Sequence, residues 1–177
     1  MSATASKPAI YFGNFVVTAQ VFHLTPHSFA LVNLKPLLPG HVLVSPRRVT
    51  PRLSDLTHTE VTDLFLTVQR VGRMIERVYN GTSLNIAMQD GVEAGQSVPH
   101  VHTHIIPRAK ADLDDRGGSD AIHDMLEGEE GNVGRQLQES YEARPRFPKV
   151  DDEVRMPRSK EEMAEEAQRL AQEMEKD

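Results

Sequence analysis

Residues 100 to 104 read His100-Val101-His102-Thr103-His104 and run on into Ile105-Ile106-Pro107. Side chains of an extended chain alternate between faces, so this spacing predicts three imidazoles on one side of a strand and Val101, Thr103 and Ile105 on the other. Pro99 and Pro107 are read as the bounds of that strand. At ~3.3 Å per residue the rings stand roughly 7 Å apart. Imidazole can donate, accept, ligate or attack near neutral pH, so such a row is suited to chemistry. A purely structural role would cost desolvation at every ring nitrogen left unpaired. Zinc binding suits His-x-His pairs, but rings in a straight strand do not converge on one ion, and further ligands would have to come from elsewhere. Attack on phosphorus needs a neutral imidazole whose other nitrogen donates a hydrogen bond that fixes the tautomer, with neighbours to hold the charged oxygens. The row supplies nucleophile and clamps together.

The elements that must position this row are legible around it. With 177 residues, 38% of them hydrophobic, the chain fits one domain with a core and room for appendages. No stretch approaches the ~20 apolar residues of a membrane span, and Met1 to Pro8 lacks the apolar run of a secretory leader. The absence of cysteine removes disulfides, thiolate ligands and a thiol nucleophile. A formal charge of −6 argues against broad attachment to nucleic acid or an anionic membrane, while an anionic small molecule stays open if the site is locally positive. The chain is expected in the cytoplasm, with the nucleus also open.

Residues 1–10 are read as a loose tail. Val16-Val17, Gln20 to His23, Ser28 to Leu34 and His41 to Ser45 are short apolar or β-branched runs, which predicts an antiparallel meander with a turn at Pro39-Gly40. Thr57 and Glu60 have capping-box spacing. Val61, Leu64, Phe65, Val68, Val71, Ile75 and Val78 then recur every three or four residues until Asn80-Gly81, which predicts a long helix. Ser83 to Gln89 is read as a strand, Asp90-Gly91 as a turn, and Gly95-Gln96-Ser97-Val98 as a loop delivering the histidines opposite or beside Gln89. The segment 109–157 is acidic, contains glycines and has few strong apolar positions, so it is expected to be mobile and solvated, with at most a short helix around Ser119 to Glu127. Ser159 and Glu162 form a second capping box, and Met163, Ala167, Leu170, Ala171 and Met174 predict a helix over about Lys160 to Glu175. The chain is thus divided into the tail 1–10, a catalytic domain 11–108, the segment 109–157 and a C-terminal part 158–177 belonging to the same domain. Gly91 and Gly95 let backbone amides approach phosphate oxygens and Ser97 adds a hydroxyl, which beside the histidines favours phosphorus chemistry.

His100 through Ile106 resembles the histidine-triad signature, in which His alternates with hydrophobic residues; Thr103 departs slightly from it. Met88-Gln89-Asp90-Gly91-Val92-Glu93-Ala94-Gly95-Gln96-Ser97-Val98-Pro99-His100 resembles the fragile-histidine (Fhit) branch of that superfamily, the diadenosine polyphosphate hydrolases. Ser28 to Pro46, Asp63-Leu64-Phe65 to Gly72, and Glu161-Glu162-Met163-Ala164 are similar to the same branch. The resemblance implies an α+β, HIT-like fold, with an antiparallel sheet, a long helix and a C-terminal helix. It further implies a homodimer with sheets joined across the interface, and hydrolysis of diadenosine triphosphate to AMP and ADP through an adenylyl-histidine. By that likeness His102 is the nucleophile, and His100 and His104 contact phosphate and position it. Gln89 and the loop of Gly95, Gln96, Ser97 and Val98 bind phosphate, Asn33 binds a ribose, and His41 stands behind the site. A divalent cation, Mg²⁺ or Mn²⁺, would be held mainly by the substrate, with no protein metal site, because neutralising a polyanion exceeds what the histidines supply. A nucleotide sensor whose output is the occupied complex would use the same pocket; the other alternative is a Hint-like nucleoside phosphoramidase, whose members usually lack the long segment after the triad and the Gln-bearing run from Asp90 to Gly95. The branch's tyrosine beyond the triad has no clear counterpart, His123 being nearest, and the long acidic segment is similar to fungal members.

Overall fold

The computed structural model describes residues 8–128, 131–142 and 157–176. β1 (Tyr11–Phe12) and β2 (Phe15–Val16) form a small hairpin. β3 (Val21–Leu24), β4 (Ser28–Val32), β5 (Val42–Pro46), β6 (Ser83–Ala87) and β7 (Thr103–Arg108) make one antiparallel sheet in the order β3-β4-β5-β7-β6. The expected meander is β3 to β5. β7 then inserts between β5 and β6, so the histidine segment runs through the middle of the domain.

α1 (His58–Tyr79) buries Leu64, Val68, Val71 and Ile75 against β4, β5 and β7. Its capping box is formed by Thr57 and Glu60, and Asn80 ends it in the left-handed conformation at φ 54°. Pairing register sorts the sheet into two faces. Leu31 faces Leu43 across β4 and β5, and Leu43 faces His104 across β5 and β7, so these three share a face; Val42 and Ile105 share the other. Every residue of β4 and β5 is buried, which requires cover on both faces.

Part of the second cover comes from the segment expected to be solvated. Its described residues include α2 (Ala121–Glu127) and α3 (Val133–Glu142). α2 falls where the sequence allows a short helix around Ser119 to Glu127, whereas α3 and the burial of this segment's side chains go against the expectation: its apolar residues are few, but they fall at helical spacing, Ile122, Met125 and Leu126 in α2 and Val133 and Leu137 in α3. Leu113, Ile122, Met125 and Leu126 close on Leu37 and Ile106, while Val133 and Leu137 join the main core. They bury themselves on surface that the sheet supplies. Residues 129–130 and 143–156 lie outside the described residues, as do residues 1–7 of the expected tail. Ile10 is already tied in: its N–H donates to Thr18 Oγ1 at 2.9 Å, and its carbonyl accepts from the Val17 N–H at 2.9 Å. α4 (Lys160–Met174) has the Ser159–Glu162 capping box and lays Met163, Ala167, Leu170 and Met174 against β3, β4 and α1.

Candidate active site

The histidine row is less regular than alternation predicts. β7 begins at Thr103 and contains Pro107, so only His104 lies on the strand, while His100 and His102 sit in its bent approach. The ladder stops short because Val101 has other partners. Its N–H donates to the Thr50 carbonyl at 2.8 Å, and its carbonyl accepts from Ser45 Oγ at 2.8 Å. The bend gives each imidazole a different environment.

Hydrogen bonds fix the tautomers one after another. His102 Nδ1 lies 2.7 Å from the His100 carbonyl, which can only accept, so Nδ1 carries the proton. Burial lowers the His102 pKa, the ring is neutral at pH 7, and Nε2 is left with the lone pair. The Leu37 N–H donates to His41 Nδ1 at 3.0 Å, so the His41 proton sits on Nε2 in the neutral ring. His41 Nε2 is 3.0 Å from His104 Nδ1 and donates to it, which leaves the His104 proton on Nε2. That Nε2 is buried with no hydrogen-bond partner among the described residues. Burial, then the neighbouring His102 and His41, hold His104 well below its ordinary pKa. A backbone amide thus dictates, through two rings, that His104 presents an N–H donor beside the lone pair of His102; the ring centroids are 5.0 Å apart.

His100 plays a third part. Its Nδ1 accepts from the Gly13 N–H at 3.0 Å and its Nε2 lies 2.8 Å from the Pro46 carbonyl, so both nitrogens are engaged within the protein. Its pKa falls to about 4, chiefly through burial. The geometry supports the positioning half of its implied role and leaves no nitrogen for a phosphate. All three imidazoles are neutral donors or nucleophiles at pH 7, not a positive patch.

The loop before the row divides in the same way. Gly95 has φ +88°, and a Cβ there would meet Gln89 Nε2 at 2.6 Å, so the loop closes directly on Gln89. Gln96 braces the loop: Oε1 accepts from the Gly91 N–H at 3.0 Å, and Nε2 donates to the Pro51 carbonyl at 2.7 Å. Val98 is buried and packs on Gly13. Ser97 Oγ accepts from the Gly134 N–H at 3.0 Å. Asn33 is buried, its Nδ2 is 3.3 Å from His41 Nε2, and its carbonyl accepts from Arg158. His123, nearest to the branch's tyrosine by sequence, is exposed on α2. Among the described residues no group of three or more His, Asp or Glu is arranged to hold a metal ion.

Several contributors had no sequence signal. Phe12 meets the His102 ring edge-on at 5.0 Å and lies 5.6 Å from His100. Gly13 reaches His100 across 87 residues, and Leu37 acts through its backbone alone. Backbone donors leave no mark in residue types.

The HIT domain family matches residues 14–111 of this chain. A bis(5'-nucleosyl)-tetraphosphatase [asymmetrical] of Schizosaccharomyces pombe is 49% identical over 170 residues, covering 91% of this chain and 92% of that protein. A bifunctional bis(5'-adenosyl)-triphosphatase/adenylylsulfatase, FHIT, of Arabidopsis thaliana is 45% identical over 168 residues, covering 94% of this chain and 84% of that one. The solved structure of the C. elegans NitFhit protein superposes with a TM-score of 0.68 at 37% identity over 96% of this chain, which spans only 31% of that longer protein. The Plasmodium falciparum diadenosine triphosphate hydrolase, solved with Cyclomarin A, gives a TM-score of 0.67 at 29% identity, covering 99% of this chain and 90% of that one. With the family match, the identities and the fold in agreement, the chain belongs to the HIT domain family, in its Fhit branch.

Proposed function

We infer that this chain is a dinucleoside polyphosphate hydrolase that cleaves diadenosine triphosphate to AMP and ADP. The observation that carries the reading is the His102 tautomer, with Nδ1–H on the His100 carbonyl and the Nε2 lone pair beside the His104 Nε2–H, which has no partner among the described residues. His102 Nε2 attacks the α-phosphorus, the bond from that phosphorus to the bridging oxygen breaks, and ADP departs. Water then cleaves the nitrogen–phosphorus bond, releasing AMP and restoring the neutral ring. His104 donates to the oxygens around the phosphorus as charge develops there. The names of the relatives support this class of reaction.

The S. pombe relative's name favours testing the tetraphosphate as a second substrate, since attack at the same phosphorus would then release AMP and ATP. A divalent cation is proposed to arrive on the phosphates, because the histidines are neutral and the chain carries −6 overall. Asn33 is proposed to meet a ribose, and Ser97, Gln89 and Gly95 the phosphates. A homodimer is proposed across β6, an edge strand whose Ile86 is 51% exposed; Phe65 and Leu66 of α1 are exposed as well. No described helix is long and apolar enough to cross a membrane.

The test is a panel of diadenosine tri- and tetraphosphate, adenosine phosphosulfate and a nucleoside phosphoramidate, with products separated by chromatography. AMP with ADP from the triphosphate, and an acid-labile, base-stable adenylyl group on His102 in rapid quench, are the expected results. Turnover confined to the phosphoramidate would replace the reading. Product release slower than the lifetime of a partner complex would favour the sensor.

A further inference from the structure

His102 is 1% exposed and His104 is fully buried, although one must reach phosphorus and the other must donate to its oxygens. α3 lies against the loop that leads into the row. Its first turn sits backbone to backbone on the phosphate loop: Gly134 N–H donates to Ser97 Oγ at 3.0 Å, and a Cβ at Gly134 would fall 2.3 Å from the Ser97 carbonyl oxygen. Only glycine permits that approach. The far end of α3 is latched to the β1–β2 hairpin, where Tyr141 Oη donates to the Val16 carbonyl at 2.5 Å and its ring lies 5.3 Å from Phe15. Between these points Val133 and Leu137 join the buried apolar cluster that contains Phe12 and Val98, and Phe12 is the ring against His102. From α2, the Leu126 carbonyl accepts from Gln89 Nε2 at 3.4 Å.

Of the side chains proposed to bind phosphate, Ser97 therefore has an amide partner from α3 and Gln89 a carbonyl partner from α2. Among the described residues His104 Nε2 is buried without a partner, a cost that a phosphate oxygen would relieve. We propose that α3 is an intramolecular cover competing with the nucleotide for the Ser97 loop, so that this form is latched shut and substrate enters only when α3 lifts. The inference rests on the hydrolase reading for the identity of the nucleotide, but not for the contacts of the cover. Its consequence is quantitative: apparent affinity is the intrinsic affinity reduced by the fraction of molecules that are open.

Two measurements on the full chain separate the possibilities. Without nucleotide, modification of His102 by diethyl pyrocarbonate, located by mass spectrometry, should be slow. It should rise about fivefold in Gly134→Ala, which cannot seat on Ser97, and rise to a lesser degree in Tyr141→Phe, which keeps the ring but loses the bond to Val16. Thermal unfolding of both variants verifies that the body is folded. Equal modification rates in parent and variants would overturn the proposal. With a non-hydrolysable methylene analogue of diadenosine triphosphate, whose binding is measured separately by calorimetry, hydrogen exchange in residues 133–142 should speed up as α3 is displaced. Slower or unchanged exchange on binding would also overturn it, the former making α3 a clamp that closes on substrate. An analogue that fails to bind counts against the hydrolase reading, and the nucleotide-free modification rates then decide the cover by themselves. In turnover, Gly134→Ala should lower KM about fivefold without lowering kcat.

Discussion

The histidine row and the helices that lie over it are built in opposite ways. The row is held by buried, directed hydrogen bonds that reach across the fold: Gly13 and Pro46 to His100, His100 to His102, and Leu37 through His41 to His104. α2 and α3 are held by a handful of apolar side chains and a few polar contacts near the surface. Directed bonds in a dry interior fix proton positions, which nucleophilic chemistry needs. Sparse apolar contacts can be broken and remade at modest cost, which access to a buried site needs. The same chain therefore contains a rigid reaction centre and a removable roof, and substitutions in the two should fail differently.

The largest expected effect is His102→Asn. It removes the nitrogen that attacks but keeps a polar side chain, so kcat should fall about 10⁴-fold or more, equivalent to roughly 5.5 kcal/mol, while affinity for the substrate changes little. Single-turnover kinetics with calorimetry would show both. A comparable loss of affinity would mean that His102 binds rather than attacks. His104→Asn deletes a donor to the developing charge and should cost about 10²- to 10³-fold in kcat. His41→Phe should reproduce a smaller part of that loss, because it removes the group that orients the His104 proton while leaving His104 in place. If His41→Phe matched wild type, the tautomer relay would be wrong.

Much of the body was legible because its signals are local. The α1 stripe, its Thr57–Glu60 box and the Asn80 stop are all readable within a few residues, and so are the Ser159–Glu162 box and β4 and β5. The row of histidines was legible as chemistry for the same reason. What failed was whatever depends on distant partners. Alternation implied three equivalent rings, yet Thr50 and Ser45 take the backbone of Val101 and bend the chain before β7. Gln96, expected among the phosphate ligands, is held by the carbonyl of Pro51, a partner that no residue type announces. The segment from 109 onward has few apolar residues, so its acidic composition outweighed the short helical stripes of α2 and α3, which are stabilised by surface belonging to Leu37, Ile106 and the main core. Composition describes what a segment can do alone, and these helices are not alone.

Acid should strike the row before it strikes the roof. Burial lowers the pKa values of His100, His102 and His104, so each favours the folded state in its neutral form. For His100 the folded value is about 4 against an ordinary 6.5. Its contribution is therefore fully present above 6.5 and is lost progressively as pH falls toward 4. The acid limb of kcat/KM should lie below the ordinary imidazole range for the same reason, since His102 stays neutral there. A pH profile with an acid limb at or above 6.5 would show that the nucleophile is better solvated than the structure has it.

The smallest effect offers the cleanest separation of the two regions. α1 and α3 each begin with a side-chain cap: Thr57 Oγ1 accepts from the Glu60 N–H at 3.3 Å, and Asn132 Oδ1 accepts from the Arg135 N–H at 2.9 Å. Removing either, by Thr57→Ala or Asn132→Ala, costs about 1 kcal/mol of helix stability. In α1 that loss belongs to the cooperative core, so it should appear in the midpoint of global unfolding and leave the exchange of α3 amides unchanged. In α3 it should leave the global midpoint nearly unmoved and instead raise the exchange rate of residues 133–142 by about fivefold, because a helix that opens without unfolding the body reports only its own local free energy. Equal shifts of the global midpoint in both variants would mean that α3 is an integral part of the folded core. The contrast between reaction centre and roof would then be one of chemistry alone, not of stability.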